Sequence, residues 1–345
     1  MKAVRIHEHG GIETLRYEES PDPKLASPSD AIVKLNAAAL NHIDLWNRRG
    51  IAGMELKFPH ILGGDGAGIV AEIGDQVKNV KTGDAVCLYP PSGCGRCEYC
   101  GTDRDYMCVR LRVLGERDDG TYAEYVRVPA RNCFPIPDGL SFEEASAFPL
   151  VYVTVWRMLV TNAKLKPGEH VLILGIGGGV ATAALQIAAF IGTHIIVTSG
   201  SDEKLGKAKL LGAEHGINYK NADFAKEVRR LTGKRGVDVV VDCVGGESWV
   251  KSLASLAKGG RLVTCGATAG ANPPTDIQRI FWNHLKIYGS TLGDRAEFRE
   301  VLNFMEVSRT KPIVDQVFPL AQAAAAQKRM EERKQFGKIV LRIDG

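Results

Sequence analysis

The sequence predicts an α/β protein in which a doubly wound parallel sheet follows a β-rich domain. From residue 170 onward, short apolar strands alternate with helices, and this alternation requires a parallel sheet covered on both faces. Residues 1–90 instead contain short, closely spaced strands separated by glycine turns, which is typical of a partly closed antiparallel domain. A chain of 345 residues suits two such domains.

Composition and charge exclude several classes of protein. Apolar residues make up 45% of the chain and charged residues 24%, as in ordinary globular proteins. The net charge of +4 includes no basic block, which argues against nucleic acid as the main partner. The N-terminal segment lacks the apolar core of a signal peptide, and no apolar run approaches the ~18 residues of a membrane span. We therefore expect a cytoplasmic protein without a membrane segment.

The first half of the chain supplies the elements of the β-rich domain. Ala31–Leu40 alternates apolar and polar residues and ends in small residues, while Gly68–Ile73 and Asp84–Leu88 are short strands bounded by turns. Gly120–Val128 alternates in the same way. Ala145–Leu159 is apolar and largely helical, and it leads into the second domain.

Four of the eight cysteines lie in one short loop with the spacing C-x2-C-x2-C-x7-C. Four thiolates this close can surround zinc tetrahedrally, and they leave no open coordination position, so the site would be structural. An iron–sulfur cluster is the competing interpretation, because its ligands are also closely spaced cysteines. The other cysteines are scattered in apolar contexts, as expected of buried thiols in a reducing compartment. The predicted ligands are Cys94, Cys97, Cys100 and Cys108.

A glycine-rich turn between a strand and a helix predicts a dinucleotide site. Val171–Leu174 is a short apolar strand, and Val180–Phe190 has apolar residues at helical spacing. The turn between them has the pattern G-x-x-G-x-x-A over residues 175–181, with one further glycine, and it directs backbone N–H groups and a helix dipole at a pyrophosphate. A tight turn without a ligand is the alternative. The predicted pyrophosphate contacts are Gly178, Gly179 and Val180.

The strand–helix rhythm continues beyond this turn, with helices such as Lys204–Leu211 and Ala222–Leu231 between the strands. A helix, a strand at Gln316–Leu320, an alanine-rich helix and a last strand at Lys338–Arg342 complete the chain. The further strands of the parallel sheet are predicted at His194–Thr198, Gly216–Asn218, Val237–Val241, Arg261–Cys265 and Leu285–Gly289.

The end of the second strand indicates which nicotinamide cofactor is bound. An acidic residue there accepts a hydrogen bond from the ribose 2′-hydroxyl and repels a 2′-phosphate. Here the strand runs into Ser199 and Ser201 without a carboxylate at its end, and Lys204 follows one turn later. Hydroxyls and a cation suit a phosphate, so the sequence favours NADP(H) over NAD(H), framed by Ser199, Lys204 and Tyr219. The alternative is that Ser201 only caps the next helix and Lys204 is only solvated.

Over essentially its whole length the chain resembles the medium-chain dehydrogenase/reductase superfamily, which includes zinc-type alcohol dehydrogenases and quinone oxidoreductases. The resemblance implies a GroES-like β-barrel catalytic domain interrupted by a Rossmann domain. It also implies a homodimer or homotetramer, for which Lys286–Ser290 is the candidate edge strand. The motifs that carry the resemblance are residues 63–68, the four-cysteine lobe at 92–109, Gly120–Val126, residues 175–181, Ala208–Ala213 with Asn218 and Tyr219, and residues 336–338. The implied domains are 1–149 with 292–345, and 150–291.

One departure from the family pattern concerns the catalytic zinc. Zinc alcohol dehydrogenases of this superfamily hold it through a Cys, a His-Glu pair and a later Cys or acid. Those positions look like Asn41, Gly64-Asp65 and about Leu150 in this sequence. Asn, Gly and Leu are not plausible zinc ligands, so we expect one structural zinc per chain and no ordinary catalytic zinc. The Asn41–Gly50 segment and the glycine loop resemble the zinc-free quinone oxidoreductase/enoyl reductase branch.

The expected reaction is hydride transfer from NADPH to an enone, an enoyl thioester or a quinone. Without a Lewis acid a simple carbonyl loses polarisation worth several kcal/mol, whereas a conjugated acceptor needs only hydrogen-bond donors. One alternative is an alcohol dehydrogenase or aldehyde reductase with a rearranged metal site that uses His42, Asp44 or Asp65. Another is an NADPH-binding sensor or structural protein with vestigial catalysis.

Candidates for the reacting end come from loops that the resemblance places near the nicotinamide. Asn41 is expected to hydrogen-bond the substrate or ribose, although it also suits a turn. Trp46 offers an apolar wall and one N–H donor, or is simply a core aromatic. Thr154 resembles a family residue that touches the nicotinamide. The remaining cofactor candidates are Gly266 and Ala267, on the nicotinamide side, and Lys338, at the phosphates.

Overall fold

The computed structural model describes residues 1–51, 53–102 and 104–344. The chain divides into two compact units. Unit 1 consists of Met1–Leu150 with Asp294–Gly345, and unit 2 is Val151–Gly293. Within the described residues, unit 1 contains sheets of seven, three and two strands, and unit 2 contains one sheet of six strands.

The first part of unit 1 consists mainly of antiparallel strands. Its longest strand, β3, pairs with three others, and seven of its ten residues are both apolar and buried. The strands are β1 (Lys2–Ile6), β2 (Arg16–Glu19), β3 (Asp30–Ala39), β4 (His60–Ile61), β5 (Asp65–Ile73), β6 (Ala85–Leu88), β7 (Pro91–Ser92), β8 (Arg112–Val113), β9 (Tyr125–Pro129) and β10 (Cys133–Pro135).

Glycine is required where β5 crosses β3. A Cβ built on Gly68 would lie 2.0 Å from the carbonyl oxygen of Lys34, so no other residue fits without moving a strand. The predicted strand Gly120–Val128 is shorter in the structure, since it begins only at Tyr125. Residues before it bond to another segment instead, with Gly120 N donating to Ile61 O at 2.8 Å.

Helices α1 (His42–Arg49) and α2 (Phe142–Ala147) complete this part of unit 1, and α3 (Pro149–Trp156) leads into unit 2. The single helix predicted over Ala145–Leu159 is interrupted after Ala147 and ends in a π-helical turn, Arg157–Asn162. Pro149 explains the interruption, because it has no N–H to continue the hydrogen bonds of α2.

Unit 2 contains a six-stranded sheet in the order β13-β12-β11-β14-β15-β16, with every neighbouring pair parallel. Runs such as Val237–Val241 are almost wholly buried, as expected for strands covered on both faces. The strands are β11 (His170–Ile173), β12 (His194–Ser199), β13 (His215–Asn218), β14 (Val237–Val241), β15 (Leu256–Thr264) and β16 (Lys286–Gly289). The helices are α4 (Gly179–Ile191), α5 (Asp202–Leu210), α6 (Phe224–Leu231), α7 (Ser248–Ser255) and α8 (Ile277–Trp282).

After unit 2 the chain returns to unit 1 through α9 (Arg295–Ser308), β17 (Val314–Pro319), α10 (Ala323–Glu331) and β18 (Lys338–Arg342). Strand β18 inserts between β3 and β17, antiparallel to the first and parallel to the second. Ile339, Val340 and Leu341 are fully buried there.

The predicted fold class is therefore confirmed: a GroES-like β domain accompanies a Rossmann-type parallel sheet. The predicted strands of unit 2 all form, with ends that differ by a few residues. None of the helices in the described ranges combines the length and the apolar character that crossing a membrane requires.

Candidate functional site

The four loop cysteines of unit 1 converge as a structural zinc site requires. Their sulfur atoms all lie within 4.8 Å of one another, with 3.5 Å between Cys97 and Cys100 and 3.7 Å between Cys97 and Cys108. Zn–S bonds of about 2.3 Å place tetrahedral sulfurs about 3.8 Å apart, so the thiols fit this ion. Cys94 N and Arg110 N donate to Cys108 Sγ at 3.2 and 3.3 Å, which holds this sulfur in place within the group.

The loop that carries these cysteines is tied to α9 by an ion pair. Arg295 Nη1 donates to Asp105 Oδ2, and Asp105 is only 2% exposed. Gly93 is required beside them, because a Cβ there would lie 2.6 Å from Cys100 Sγ. The zinc loop is thus fixed both by its own thiols and by a helix that follows far along the chain.

In unit 2 the glycine turn after β11 leads directly into α4. Gly175 and Gly177 have φ values of +67° and +128°, which side-chain-bearing residues rarely adopt. Gly178 caps the helix, and a Cβ built on it would meet nothing within 4 Å. The space beside the start of α4 at Gly178 is therefore open, and the first-turn N–H groups of a helix have no partner within the helix, which suits the binding of a pyrophosphate.

The end of β12 carries hydroxyls and a neighbouring cation. Ser201 Oγ caps α5 by accepting from Lys204 N at 3.4 Å, so the predicted capping role of this serine is present. A Cβ on Gly200 would lie 2.9 Å from both Tyr219 Oη and Lys220 Cε. Tyr219 N also donates to Ser199 O at 3.1 Å, which brings the turn after β13 against the end of β12.

Sequence reasoning missed Lys220 as a candidate for the cofactor. The available signal was its position next to Tyr219, at the end of a strand that neighbours β12 in a parallel sheet. Asp202 is the nearby carboxylate that opposes a phosphate, and its Oδ1 accepts from Asn218 Nδ2 at 2.8 Å. Gly266 and Ala267 follow β15 at the same edge of the sheet, beside Gly245.

In unit 1, Asn41, Asp65 and Lys338 form a closed, buried cluster. Lys338 Nζ donates to Asn41 Oδ1 at 2.6 Å and to Asp65 Oδ2 at 2.9 Å. Asn41 Nδ2 donates to the same Asp65 oxygen at 2.8 Å, and Leu150 N donates to Asp65 Oδ1 at 2.9 Å. Exposure is 5% for Asn41, 0% for Asp65 and 4% for Lys338. The Lys338 ammonium thus lies on Asn41 and Asp65 in this structure, and its contact with the cofactor phosphates stays a prediction.

Helix α1 carries the neighbouring candidates. Asp44 is buried and accepts from Asn41 N at 2.8 Å and from Tyr122 Oη at 2.9 Å; burial raises the pKa of its carboxyl to about 6. Burial, helped by the charges of Arg333, Lys338 and Arg49, lowers the pKa of His42. Trp46 is half-buried with its ring 6.2 Å from that of His42. Thr154 lies in α3 and is buried within unit 2.

These residues do not fit a divalent catalytic metal. Of the four family positions only Asp65 offers an anionic donor, and both its oxygens already accept hydrogen bonds from the ammonium, the amide and a backbone N–H. Gly64 offers no side chain, and a Cβ there would lie 3.2 Å from Leu114 O and 3.5 Å from Leu150 Cδ1. Within the described ranges, the four-cysteine loop is the one place where three or more His, Cys, Asp or Glu side chains converge.

Known proteins match both parts of the chain. A family model for the alcohol dehydrogenase GroES-like domain matches residues 27–138, and one for zinc-binding dehydrogenases matches residues 179–307. A zinc-type alcohol dehydrogenase-like protein of Schizosaccharomyces pombe is 35% identical, covering 100% of this chain and 99% of the relative. An NAD-dependent alcohol dehydrogenase of Sulfurisphaera tokodaii is 34% identical, with 99% of each covered. The crystal structure of an NAD-dependent alcohol dehydrogenase matches with a TM-score of 0.96 and 43% identity over 100% of both chains.

The expectation that the acceptor is an enone, an enoyl thioester or a quinone is wrong, because full-length relatives and a close structural neighbour are alcohol dehydrogenases. The expected acceptor was inferred from the family's metal ligands, which bear on how a carbonyl is polarised. Which substrate is bound depends instead on loop side chains, and no sequence motif identifies those. The alternative of an alcohol dehydrogenase or aldehyde reductase agrees better with these relatives. Two of these three proteins are named NAD-dependent, so the comparisons do not support NADP(H) specifically. The chain belongs to the zinc-type alcohol dehydrogenase family of the medium-chain dehydrogenase/reductase superfamily and is an NAD(P)-dependent enzyme.

Proposed function

We propose that this protein is an NADP(H)-dependent oxidoreductase that interconverts an alcohol and the corresponding aldehyde or ketone. The observation that carries the proposal is the full-length likeness to alcohol dehydrogenases, combined with a glycine turn that leaves open space beside the start of α4. The glycine turn supports nucleotide binding, and the likeness supports the alcohol–carbonyl couple.

The preference for NADP(H) rests on the residues around Gly200. Ser199 ends β12, Tyr219 and Lys220 approach Gly200 from the next strand, and Lys204 lies in the first turn of α5. A 2′-phosphate carries negative charge and several acceptor oxygens, which hydroxyls and ammonium groups satisfy. The carboxylate of Asp202 is already bonded to Asn218, which reduces its opposition to a phosphate. Lys220 is thus a fourth proposed contact of the 2′-phosphate, in addition to Ser199, Lys204 and Tyr219.

Each remaining candidate has a distinct role in this proposal. NADPH, when bound, supplies the hydride. The N–H groups of Gly178, Gly179 and Val180 bind its pyrophosphate, and Gly266 with Ala267 supports the nicotinamide side. Asn41 is proposed to orient the substrate or ribose, Trp46 to form an apolar wall, and Thr154 to contact the nicotinamide.

We assign residues 1–149 and 292–345 to the catalytic domain and residues 150–291 to the nucleotide domain. We further propose a homodimer or homotetramer in which β16 pairs with a second copy. Three large apolar side chains on α8 support this, since they are 61–71% exposed beside that edge strand: Ile277, Phe281 and Trp282. The cytoplasmic location stays a prediction from the sequence.

Steady-state kinetics with NADPH and NADH on a panel of alcohols, aldehydes and ketones tests the proposal. We expect turnover of the alcohol–carbonyl couple and a lower KM for NADPH. Lys220→Ala should raise the KM for NADPH about 10-fold and leave that for NADH nearly unchanged, because a lost charge-assisted hydrogen bond amounts to about 1.5 kcal/mol.

Lys209→Ala is the matched control, as it removes a lysine from the last turn of α5. Equal KM values for the two cofactors, with no effect of Lys220→Ala, would contradict the NADP(H) assignment. Turnover confined to conjugated alkenes or quinones would contradict the alcohol–carbonyl reaction.

A further inference from the structure

We propose that Asp242 is a positioning residue for the nicotinamide: its buried carboxylate fixes the loop after β14, and this loop in turn fixes the loop after β15 that contains Gly266 and Ala267. We call residues 243–246 the β14 loop and residues 266–270 the β15 loop. The nicotinamide role rests on the proposed function, whereas the coupling of the two loops rests on contacts within unit 2 alone.

The carboxylate of Asp242 directly follows β14 and is fully buried. Its Oδ1 accepts from Val244 N and from Gly245 N, both at 2.9 Å, and its Oδ2 accepts from Ser252 Oγ on α7 at 2.7 Å. All three donors are uncharged, so these hydrogen bonds stabilise the carboxylate without an opposite charge. An apolar side chain would suit this buried position, but it could not accept from two nearby backbone N–H groups. Those two bonds set the direction of the chain in the β14 loop.

The β14 loop turns through two glycines. Gly245 and Gly246 have φ values of +65° and +55°, which other residues rarely adopt. A Cβ built on Gly245 would lie 2.6 Å from Gly270 O, and one built on Gly246 would lie 2.6 Å from Ala269 O. The backbones of the two loops are therefore in direct contact, with no room for a side chain between them.

Backbone hydrogen bonds join the two loops. Ala269 N donates to Val244 O at 2.8 Å, and Gly246 N donates to Gly270 O at 2.9 Å. Within the β15 loop, Gly270 N donates to Ala267 O at 3.1 Å. Val244 takes part in both sets of contacts, because its N–H bonds to the carboxylate and its carbonyl bonds to the β15 loop. A change in the carboxylate is therefore transmitted to Ala267 through backbone contacts.

Both loops lie at the carboxyl edge of the parallel sheet, where open α/β sheets bind their ligands. The glycine turn after β11 is at the same edge, and a Cβ built on Gly175 would lie 3.5 Å from Val244 Cγ2. The β14 loop thus lies between the turn proposed for the pyrophosphate and the loop proposed for the nicotinamide. Asp242 itself is enclosed by its three donors, so it acts on the cofactor through the loops and not by contact.

Hydrogen exchange measured by mass spectrometry on the cofactor-free protein tests the coupling without any need for activity. Asp242→Ala should raise the exchange rate of amides in the β14 loop and also in the β15 loop by about 10-fold, the effect of losing roughly one hydrogen bond to a charged group. Asp242→Asn keeps an oxygen acceptor for both N–H groups and should stay close to wild type.

Ser255→Ala is the matched control, because it removes a buried polar group of α7 that bonds to Lys251 O. It should leave the exchange of both loops unchanged. Faster exchange in Asp242→Ala that is confined to the β14 loop, or that appears in neither loop, would overturn the proposal.

Cofactor binding and turnover test the nicotinamide role. The nucleotide 2′,5′-ADP contains the adenosine half of NADPH without the nicotinamide, so Asp242→Ala should leave its Kd nearly unchanged. The same variant should lower kcat for the reduction of an aldehyde with NADPH by about 10- to 100-fold, because a small displacement of the reacting groups has effects of this size. Asp242→Asn should retain most of the wild-type kcat. Where Asp242→Ala does not fold, Asp242→Thr replaces it in both experiments, since threonine keeps the volume and a single acceptor.

A kcat for Asp242→Ala close to that of the wild type would overturn the positioning role. Weaker binding of 2′,5′-ADP in step with the loss of kcat would also overturn it, because the substitution would then have disturbed the whole nucleotide site. If the exchange rates of both loops rise as expected and the wild-type protein turns over no alcohol, aldehyde or ketone, the proposed function fails and the coupling of the loops stands.

Discussion

Asp44 shows how one buried carboxyl makes stability depend on pH. It is 1% exposed, and burial raises the pKa of its carboxyl from the ordinary 3.8 to about 6, against the opposing effect of hydrogen bonds from Asn41 N and Tyr122 Oη. The folded state therefore holds the proton more tightly than the unfolded state does. Its contribution to stability is most favourable below about pH 4, declines as the pH rises towards about 6, and is constant above that.

We therefore expect Asp44→Asn to flatten the pH dependence of stability. A shift of about two pKa units corresponds to at most about 3 kcal/mol. In urea unfolding between pH 5 and pH 7.5, the wild-type protein should lose more stability with rising pH than this variant. Asp138→Asn is the control, because Asp138 is exposed in the same unit. Parallel pH profiles for wild type and Asp44→Asn would contradict the expectation.

At the level of elements, the cysteine loop depends on a helix that lies far away in the sequence. Asp105 Oδ1 has no hydrogen-bond partner within the described ranges, so the ion pair from Arg295 to Oδ2 is the contact that compensates its charge. Zinc and this ion pair therefore both stabilise the conformation of the same loop. Loss of the ion pair should weaken zinc binding, and loss of zinc should weaken the ion pair.

Arg295→Met is expected to destabilise unit 1 by about 3–5 kcal/mol, because it leaves a buried carboxylate unpaired. It should also speed the release of zinc to a chromogenic chelator. Asp105→Asn combined with Arg295→Met removes both charges, and we expect it to recover a large part of the lost stability. Should Arg295→Met release zinc at the wild-type rate, the ion pair would not be coupled to the metal loop.

At the level of the whole molecule, the apolar surface of α8 bears on assembly. Trp282 and Phe281 are 69% and 61% exposed, and the adjoining edge strand β16 offers unpaired backbone groups. If the proposed oligomer forms through this surface, Phe281→Glu should yield a monomer of 37.4 kDa in light scattering coupled to gel filtration, whereas the wild-type protein should give a multiple of that mass. Leu210→Glu, on an 88% exposed residue of the same unit, should leave the mass unchanged. An unaltered mass for Phe281→Glu would place the interface elsewhere.

Local sequence patterns predicted the parts of the molecule that are formed by residues close together in the chain. The four cysteines lie within 15 residues of one another, and the glycine turn is flanked by the strand and helix that position it. Tyr219 and Lys220 lie beside Gly200 because β13 pairs with β12, and a local sequence pattern does not reveal such a contact. Tyr219 was predicted only through the family resemblance, and Lys220 was not predicted. Asp65 and Lys338 are 273 residues apart, and no local pattern indicates that they touch. The absence of a catalytic zinc stays a prediction, whereas the substrate class inferred from it was wrong.

The insertion of β18 between β3 and β17 has a consequence for biosynthesis. A ribosome that adds about 5–20 residues per second needs roughly 15–55 s to travel from Asp65 to Lys338. During that time the whole of unit 2 is made, and as a continuous segment it can fold first. Until Lys338 has been synthesised, the carboxylate of Asp65 is solvated by water and has no ion-pair partner from β18. Unit 2 can thus fold before β18, the strand that carries Lys338, has been synthesised.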